Sequence, residues 1–306
     1  MKMPSIDLRE VLVRHPRLRR MVFRVRQFRR NTLGVAGLGI ILFFLVLALL
    51  APVLTTPNQP DPYRVPKTWI LEPQPPDSQF LLGTGPEGVD IYYGVIWGSR
   101  ISFTIAVTVV FLSAVIGIAV GLFAGYLGGK VDELLMRLSD LFLALPAIVL
   151  VMAIIAVLGR SIENLTLALV IVWWPRYARL VRGEALVIKE QHYVLAARSI
   201  SAPHLWIIRK HIIPNAVFAS VVLVTMDMGL VVLIAAGLSF IGLGAESGTA
   251  EWGLMTTLGK DWIVGGKWWV SFFPGTAIFL FVLGWNLLGD AFRDLFDPKM
   301  KIPART

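Results

Sequence analysis

Thr32–Leu54 reads TLGVAGLGIILFFLVLALLAPVL, a run with no charged side chain. A bilayer core of about 30 Å takes about 20 apolar residues in a helix, so this stretch is long enough to cross. Basic residues precede it, as they do in a secretory signal. It exceeds the roughly 7–15 residues of a signal h-region and begins after a long arm, so a retained span is expected. Outward from it, five more stretches meet or approach the same length: Ile101–Leu127, Leu134–Leu158, Leu165–Val181, Ala216 to about Leu243, and Trp268 to about Leu288. The fourth is the weakest, being short and interrupted by Pro175 and Arg176.

The composition agrees. Of 306 residues, 56% are hydrophobic and 16% charged, and the mean hydropathy is +0.70. A soluble domain carries about a quarter charged residues. The expected class is an all-α membrane protein with six transmembrane helices. Residues 1–31 form a basic arm, 32–54 the first helix, 55–100 an outer loop, 101–292 the remaining core and 293–306 a tail.

Charge placement orients it. The arm holds ten Lys/Arg against Asp7 and Glu10. Residues 55–100 hold Arg64, Lys67 and Arg100; 241–269 hold Lys260 and Lys267; the third–fourth connection holds Arg160. The other 23 of 29 basic residues fall on the opposite side. The positive-inside bias then puts both termini in the cytoplasm, as an even number of spans requires. The net charge of +9 is read as orientation and contact with anionic lipid, not as nucleic-acid binding.

The loops differ in kind. Residues 55–100 contain eight prolines, which fix φ and remove donors, so an extended, irregular outer loop is expected. Residues 241–269 carry Trp252, Trp262, Trp268 and Trp269, read as an interfacial aromatic belt ahead of a docking surface. The inner segment from about Arg182 to Pro214 is basic, with apolar residues recurring at Val187, Ile188, Val194, Leu195, Ala197 and Ile200. It reads as short amphipathic helices broken at Pro203 and Pro214. Such a helix rests on lipid or enters a groove on a partner; composition does not separate the two.

Several chemistries are excluded. With no cysteine there is no disulfide framework, thiolate zinc site, iron–sulfur cluster or thiol nucleophile. His15, His192, His204 and His211 form no HExxH pattern, so no metal site is expected. Gly253 and Gly259-Lys260-Asp261 miss the phosphate-cradling GxxxxGK[ST] by one residue and by its hydroxyl. No GxSxG is present, and Gly242-Leu243-Gly244 lacks the third glycine of a dinucleotide site. No catalytic residue and no enzyme activity are expected.

Two features remain inside the spans. Asp227 is the one carboxylate near the middle of a hydrophobic run, a costly placement that marks a candidate for a substrate path. The competing reading is structural, with Asp227 facing a partner helix or a watery cavity. No basic group is expected inside the neighbouring spans, so no proton relay is read. Gly117, Gly121, Gly125 and Gly129 recur every four residues, a small-residue face for close helix packing within this chain or against a second subunit.

The inner segment also carries a recognisable pattern. Tyr193-Val194-Leu195-Ala196-Ala197-Arg198-Ser199-Ile200-Ser201, continued by Arg209-Lys210-His211-Ile212-Ile213-Pro214-Asn215, resembles the EAA loop of ABC-importer permeases. Ala196, Ala197, His211, Pro214 and Asn215 are in register with it. Leu195 stands where a glutamate is usual and Ser201 where a glycine is usual. Leu238-Ser239-Phe240-Ile241-Gly242-Leu243-Gly244 with Glu251-Trp252-Gly253, and Asn286-Leu287-Leu288-Gly289-Asp290 with Asp297-Pro298, are similar to the dipeptide/oligopeptide class. Gly85-Pro86-Glu87-Gly88-Val89-Asp90 and Ala235 depart from it.

The resemblance implies the smaller, C-type permease with a type I ABC importer fold, in the cell membrane. It implies a homologous second permease, two cytoplasmic ATPase subunits that bind ATP and magnesium, and an extracytoplasmic substrate-binding protein. This chain would hold no cofactor. Leu195, Ala196, Ala197, Arg198, Ser201, His211 and Pro214 would then couple to an ATPase. Cargo in the class is dipeptide, oligopeptide, nickel chelate or, in some members, di- and oligosaccharide. An ion-driven secondary transporter would need inverted repeats and broken helices near the midplane, which the sequence does not suggest. A membrane scaffold or receptor would keep the spans without needing an ATPase.

Overall fold

A computed structural model describes residues 26–296 of the chain. Most of the basic arm (residues 1–25) and of the tail (297–306, with the Asp297-Pro298 pair) lie outside the described residues. The described residues are helical, with three isolated β-bridges and no strand among them.

Helix α1 is Thr32–Leu54, capped by the Asn31 side chain, which accepts from the Gly34 N–H at 2.9 Å. Its buried residues, Gly34, Gly37, Ile41, Phe44, Ala48 and Ala51, form one stripe. Leu42, Phe43, Val46, Leu49 and Val53 stay exposed. Both faces are apolar because lipid, not water, covers the outer one. The stripe lies against the last helix, where a side chain on Gly37 would run into the Gly284 carbonyl.

Helix α2, Ile91–Leu127, begins at the Asp90 cap, whose carboxylate accepts from Tyr92 and Tyr93. It starts ten residues before the expected Ile101, and the outer loop is shorter by the same amount. Most of the polar-looking run Tyr92–Arg100 is in fact buried, with Tyr93, Ile96, Trp97 and Ser99 packed inside.

Gly128 and Gly129, both at positive φ, turn the chain into α3, Gly129–Leu143, followed by α4, Ala147–Leu158. The expected third span is thus two helices bent by 85°. Pro146 at the α4 N-cap has no N–H with which to continue α3. The apolar run alone does not reveal this broken helix.

Helix α5, Ile162–Lys189, runs well past the expected Val181 and takes in residues 182–189, which the sequence places in the inner segment. Pro175 lies within it. Short α6 (His192–Ser199) and α7 (His204–Ile207) follow, then a π-turn over Ile208–Ile212 that leads into α8, Ile213–Phe240. Helices α9, Trp252–Leu258, and α10, Trp269–Phe296, complete the described chain.

Four helices are long and apolar enough to cross a membrane, five if the bent α3–α4 pair is one span. Helix α5 falls outside that set because Arg176, Arg179 and Arg182 interrupt it. Its shelter is protein rather than lipid: Leu165, Leu169, Trp173 and Tyr177 pack with Val109 and Val110 of α2 and Val231 and Ala235 of α8 in one core.

The loops at residues 55–90 and 241–268 are tied together. Val65 N–H donates to Gly248 O at 2.9 Å and Ala250 N–H to Tyr63 O at 2.7 Å. The ion pairs Arg64–Glu246 (3.1 Å) and Lys267–Glu72 (2.7 Å) add little, since water screens their exposed carboxylates. Buried tryptophans contribute more. Trp252 is fully buried against Phe44 and Phe281 and donates to Val95 O at 3.0 Å. Trp269 donates to Thr84 O at 3.2 Å. These two are core anchors, which corrects the aromatic-belt reading for them; Trp268 is exposed.

Candidate functional site

The inner segment is built as a bracket between two long helices. Helix α5 ends at Lys189, whose ammonium donates to Gly125 O at 3.1 Å. Helix α6 lies beyond the bend at Glu190–Gln191. Its inner residues, Val194 and Ala197, are buried with Leu122 and Tyr126 of α2, Val181, Ala185 and Ile188 of α5, and Ile207, Ile208 and Ile212. Its outer residues, Tyr193, Leu195, Ala196 and Ile200, are exposed, and so are Leu205 and Trp206 of α7.

A Schellman motif closes α6. Ser201 N–H donates to Arg198 O at 2.8 Å and Ala202 N–H to Ala197 O at 3.1 Å. That geometry puts its C′ residue in the left-handed region, normally glycine. Ser201 sits there at φ 56°, so the serine carries strain at the position where the resembling pattern has glycine.

Pro203 starts α7, as expected, but Pro214 breaks nothing. The chain is helical from His204 to Phe240 through the π-turn. A proline removes one i→i−4 bond and crowds the carbonyl four residues back; the wider π-turn just before Pro214 relieves that crowding. The Asn215 side-chain amide donates to His211 O at 2.7 Å.

The expected coupling residues therefore divide. Leu195, Ala196, Ser201 and Pro214 are exposed. Ala197 is buried beneath α6. Arg198 lies over the Tyr126 ring at 5.2 Å. His211 packs between Trp206 (5.2 Å) and Tyr193 (5.5 Å), and His204 Nδ1 pairs with Tyr126 Oη at 2.8 Å.

Farther along the bracket's arms, α5 and α8 are joined again. Asp227 is buried, and its two oxygens accept from Trp173 Nε1 and Arg176 Nη1, each at 3.0 Å. The Tyr177 hydroxyl lies beside the same carboxylate, short of good hydrogen-bond geometry. Asp227 thus has a basic partner in a neighbouring helix, which corrects the expectation of none. Arg176 reads in sequence as a fault in a weak span; folding shows it to be one of a row. Arg179 pairs with Asp140, and Arg182 holds Asp132 at 2.5 and 2.7 Å. The three arginines recur on a helical spacing along α5 and face acids on α8 and α3.

Gly117, Gly121 and Gly125 let α2 meet α5 closely. A Cβ on Gly117 would stand 2.4 Å from Trp174 O, and one on Gly121 2.4 Å from Ala178 O. Gly125 faces Ala185 and Arg182 in the same way. This contact is within the chain. Among the described residues no cluster of three or more His, Asp or Glu suits a metal ion.

Residues 117–302 match the family described as the binding-protein-dependent transport system inner membrane component. Residues 20–76 match the N-terminal transmembrane domain of oligopeptide transport permease C. The chain is 39% identical to a probable D,D-dipeptide transport system permease protein of Escherichia coli K12, over 90% of each chain. It is 37% identical to a dipeptide transport system permease protein of Alkalihalophilus pseudofirmus, over 90% of this chain and 89% of the relative. It is 39% identical to a glutathione transport system permease protein of another Escherichia coli strain, with the same coverages. In such transporters ATP hydrolysis belongs to a separate subunit, so this chain is not an enzyme. With nearly its whole length matched in order, the chain belongs to the inner-membrane permeases of binding-protein-dependent ABC importers, in the dipeptide/oligopeptide class, and is a multi-pass membrane protein.

Proposed function

We propose that this chain forms, with a homologous second permease, the translocation path of an importer for di- and oligopeptides. One of two ATPase subunits docks on the α6–α7 bracket and the other on the second permease, while an extracytoplasmic binding protein delivers cargo to the joined outer loops. The observation that carries this is α6 itself. Its inner face is locked into the core by Val194 and Ala197, while its outer face presents Tyr193, Leu195 and Ile200, with Leu205 and Trp206 beside it. An apolar outer face on a rigidly backed short helix suits a groove on a partner. Leu195 in place of a carboxylate makes that contact more apolar.

The path is completed by six crossings. Helix α5 is the crossing that is too polar to face lipid, and it is surrounded by its own chain. Both termini then lie with the bracket in the cytoplasm, following the excess of basic residues there. The physics of coupling follows from continuity. ATP-driven closure of the ATPases moves α6, and α6 is joined to α5 through the two-residue bend at Glu190–Gln191 and to α8 through residues 200–203, α7 and the π-turn. Peptide cargo is favoured by the names of the relatives, which are dipeptide and glutathione permeases.

The test is co-purification. Ile200→Glu with Leu205→Glu is expected to release the ATPase subunits and stop transport while the two permeases stay paired. Full retention of the ATPases, or transport that continues without them, overturns the reading. A thermal-shift screen of the binding protein against peptides and sugars checks the cargo.

A further inference from the structure

Arg176 is a cation held at the mid-depth of the helix bundle with one side open. Thirteen residues separate it from the end of α5 at Lys189, about 20 Å along a helix axis. Asp227 is fourteen residues into α8 from Ile213, about 21 Å. The neighbours Trp173, Trp174, Pro175, Tyr177 and Ala178 are all buried. The side chain of Arg176 nevertheless keeps 38% exposure, against 1% for Asp227. The pair is therefore one-sided, with the acid behind and the base in front.

The guanidinium is only partly engaged. Nη1 donates to Asp227 Oδ1, the second carboxylate oxygen is taken by Trp173, and the guanidinium stacks 5.4 Å from the Trp173 ring centroid. A guanidinium has five N–H donors in a fixed fork, so donors remain on the open side. An open cation at this depth is too costly to place against hydrocarbon. It faces either a water-filled path or the second permease.

Resting on the reading of this chain as one wall of a translocation path, we propose that Arg176 binds the carboxylate of an anionic cargo in that path, with Asp227 and Trp173 as its positioning residues. The C-terminal carboxylate of a peptide fits this chemistry, since the fork of a guanidinium takes a carboxylate through two parallel hydrogen bonds. Asp227 also tempers the attraction. A cation already half-neutralised from behind holds an anion loosely enough to let it go, as a conduit requires.

The absence of cysteine from the sequence makes the test direct. Arg176→Cys gives this chain a single thiol in the assembled complex. Treatment with a charged, membrane-impermeant methanethiosulfonate, read from the mass of this chain, is expected to modify it. A dipeptide with a free C-terminus, supplied on its binding protein, is expected to slow the modification several-fold. An inert thiol, or one that cargo does not protect, overturns the proposal. In parallel, Arg176→Gln is expected to lower transport of the free-carboxylate dipeptide by about tenfold, one charged hydrogen bond's worth. The C-terminal amide of the same dipeptide should lose several-fold less than the free acid, compared at equal occupancy of the binding protein. An equal loss for both cargoes, or no loss for either, overturns it; if the binding protein rejects the amide, thiol protection decides. The ATPases should co-purify with both variants, so loss of cargo selectivity is distinguishable from failure of the coupling reading.

Discussion

The Arg176 guanidinium meets the Asp227 carboxylate at 3.0 Å, so the two helices that leave the α6–α7 bracket are pinned to each other deep in the bundle. Bracket and pin together make α5 and α8 a braced pair. Removing one side of a buried pair leaves the other uncompensated. Because Arg176 is partly exposed, the expected loss for Asp227→Ala is about 2–3 kcal/mol, below the value for a fully buried pair. Thermal unfolding of the purified complex measures it. The double variant Asp227→Ala with Arg176→Gln should lose less than the sum of the single losses.

The glycine face of α2 makes a sharper prediction. A Cβ at Gly121 would stand 2.4 Å from Ala178 O and 2.9 Å from Val181 Cβ, and backbone cannot step aside as a side-chain tip can. Gly121→Ala is expected to push α2 off α5 and destabilise the complex by about 1–3 kcal/mol, the scale of core overpacking. At Gly183, on α5, a Cβ would meet nothing within 4 Å. Gly183→Ala is expected to be neutral or to add about 0.5–1 kcal/mol through helix propensity. Equal effects at the two sites would show that the close approach does not govern packing.

Ser201 offers a change that should help. At φ 56° a residue with a Cβ carries about 1–2 kcal/mol that glycine does not. Ser201→Gly is expected to steady the end of α6, seen as slower hydrogen exchange at the amides of residues 201 and 202, which close the Schellman motif. Ser201→Val should speed exchange there, since a β-branched residue fits the left-handed region least well.

The first, second, fifth and sixth expected spans are legible in the sequence because apolar runs of membrane length need no tertiary information, and Thr32–Leu54 is recovered to the residue. The α6 bracket is legible in outline for a similar reason, its apolar residues recurring at helical spacing. Other features depend on partners far away in the chain. Arg176 looks like a defect until Asp227, fifty-one residues on, is placed beside it. Trp252 looks interfacial until Phe44 and Phe281 enclose it. The start of α2 is hidden because Tyr93 and Arg100 read as loop, whereas the loops above bury that first stretch. Pro214 misleads in the opposite sense, since a proline's effect on a helix depends on whether the preceding turn can widen.

Glu251 carries the last prediction, a pH dependence. It is buried at the start of α9, outside the apolar spans, and accepts from the Gly253 N–H at 3.0 Å and the Leu254 N–H at 2.8 Å. Burial pushes its carboxyl above the ordinary range, and the two backbone hydrogen bonds oppose that only in part. Asp90, capping α2 beneath the same loops, is shifted in the same direction for the same reason. A carboxyl whose pKa is raised on folding binds its proton more tightly in the folded state. Its contribution is complete below the unfolded value and is lost as pH rises through the raised folded value. The cap built on α9 is therefore expected to be more stable at pH 5 than at pH 8. Glu251→Gln keeps an acceptor for the cap but cannot ionise, so it should flatten the pH profile while leaving acid-side stability nearly unchanged. Thermal unfolding across that range, read from tryptophan fluorescence, checks both statements. Stability that instead rises from pH 5 to pH 8 in the parent and falls away on Glu251→Gln would mean that the ionised carboxylate, held by its two amides, is the favoured form.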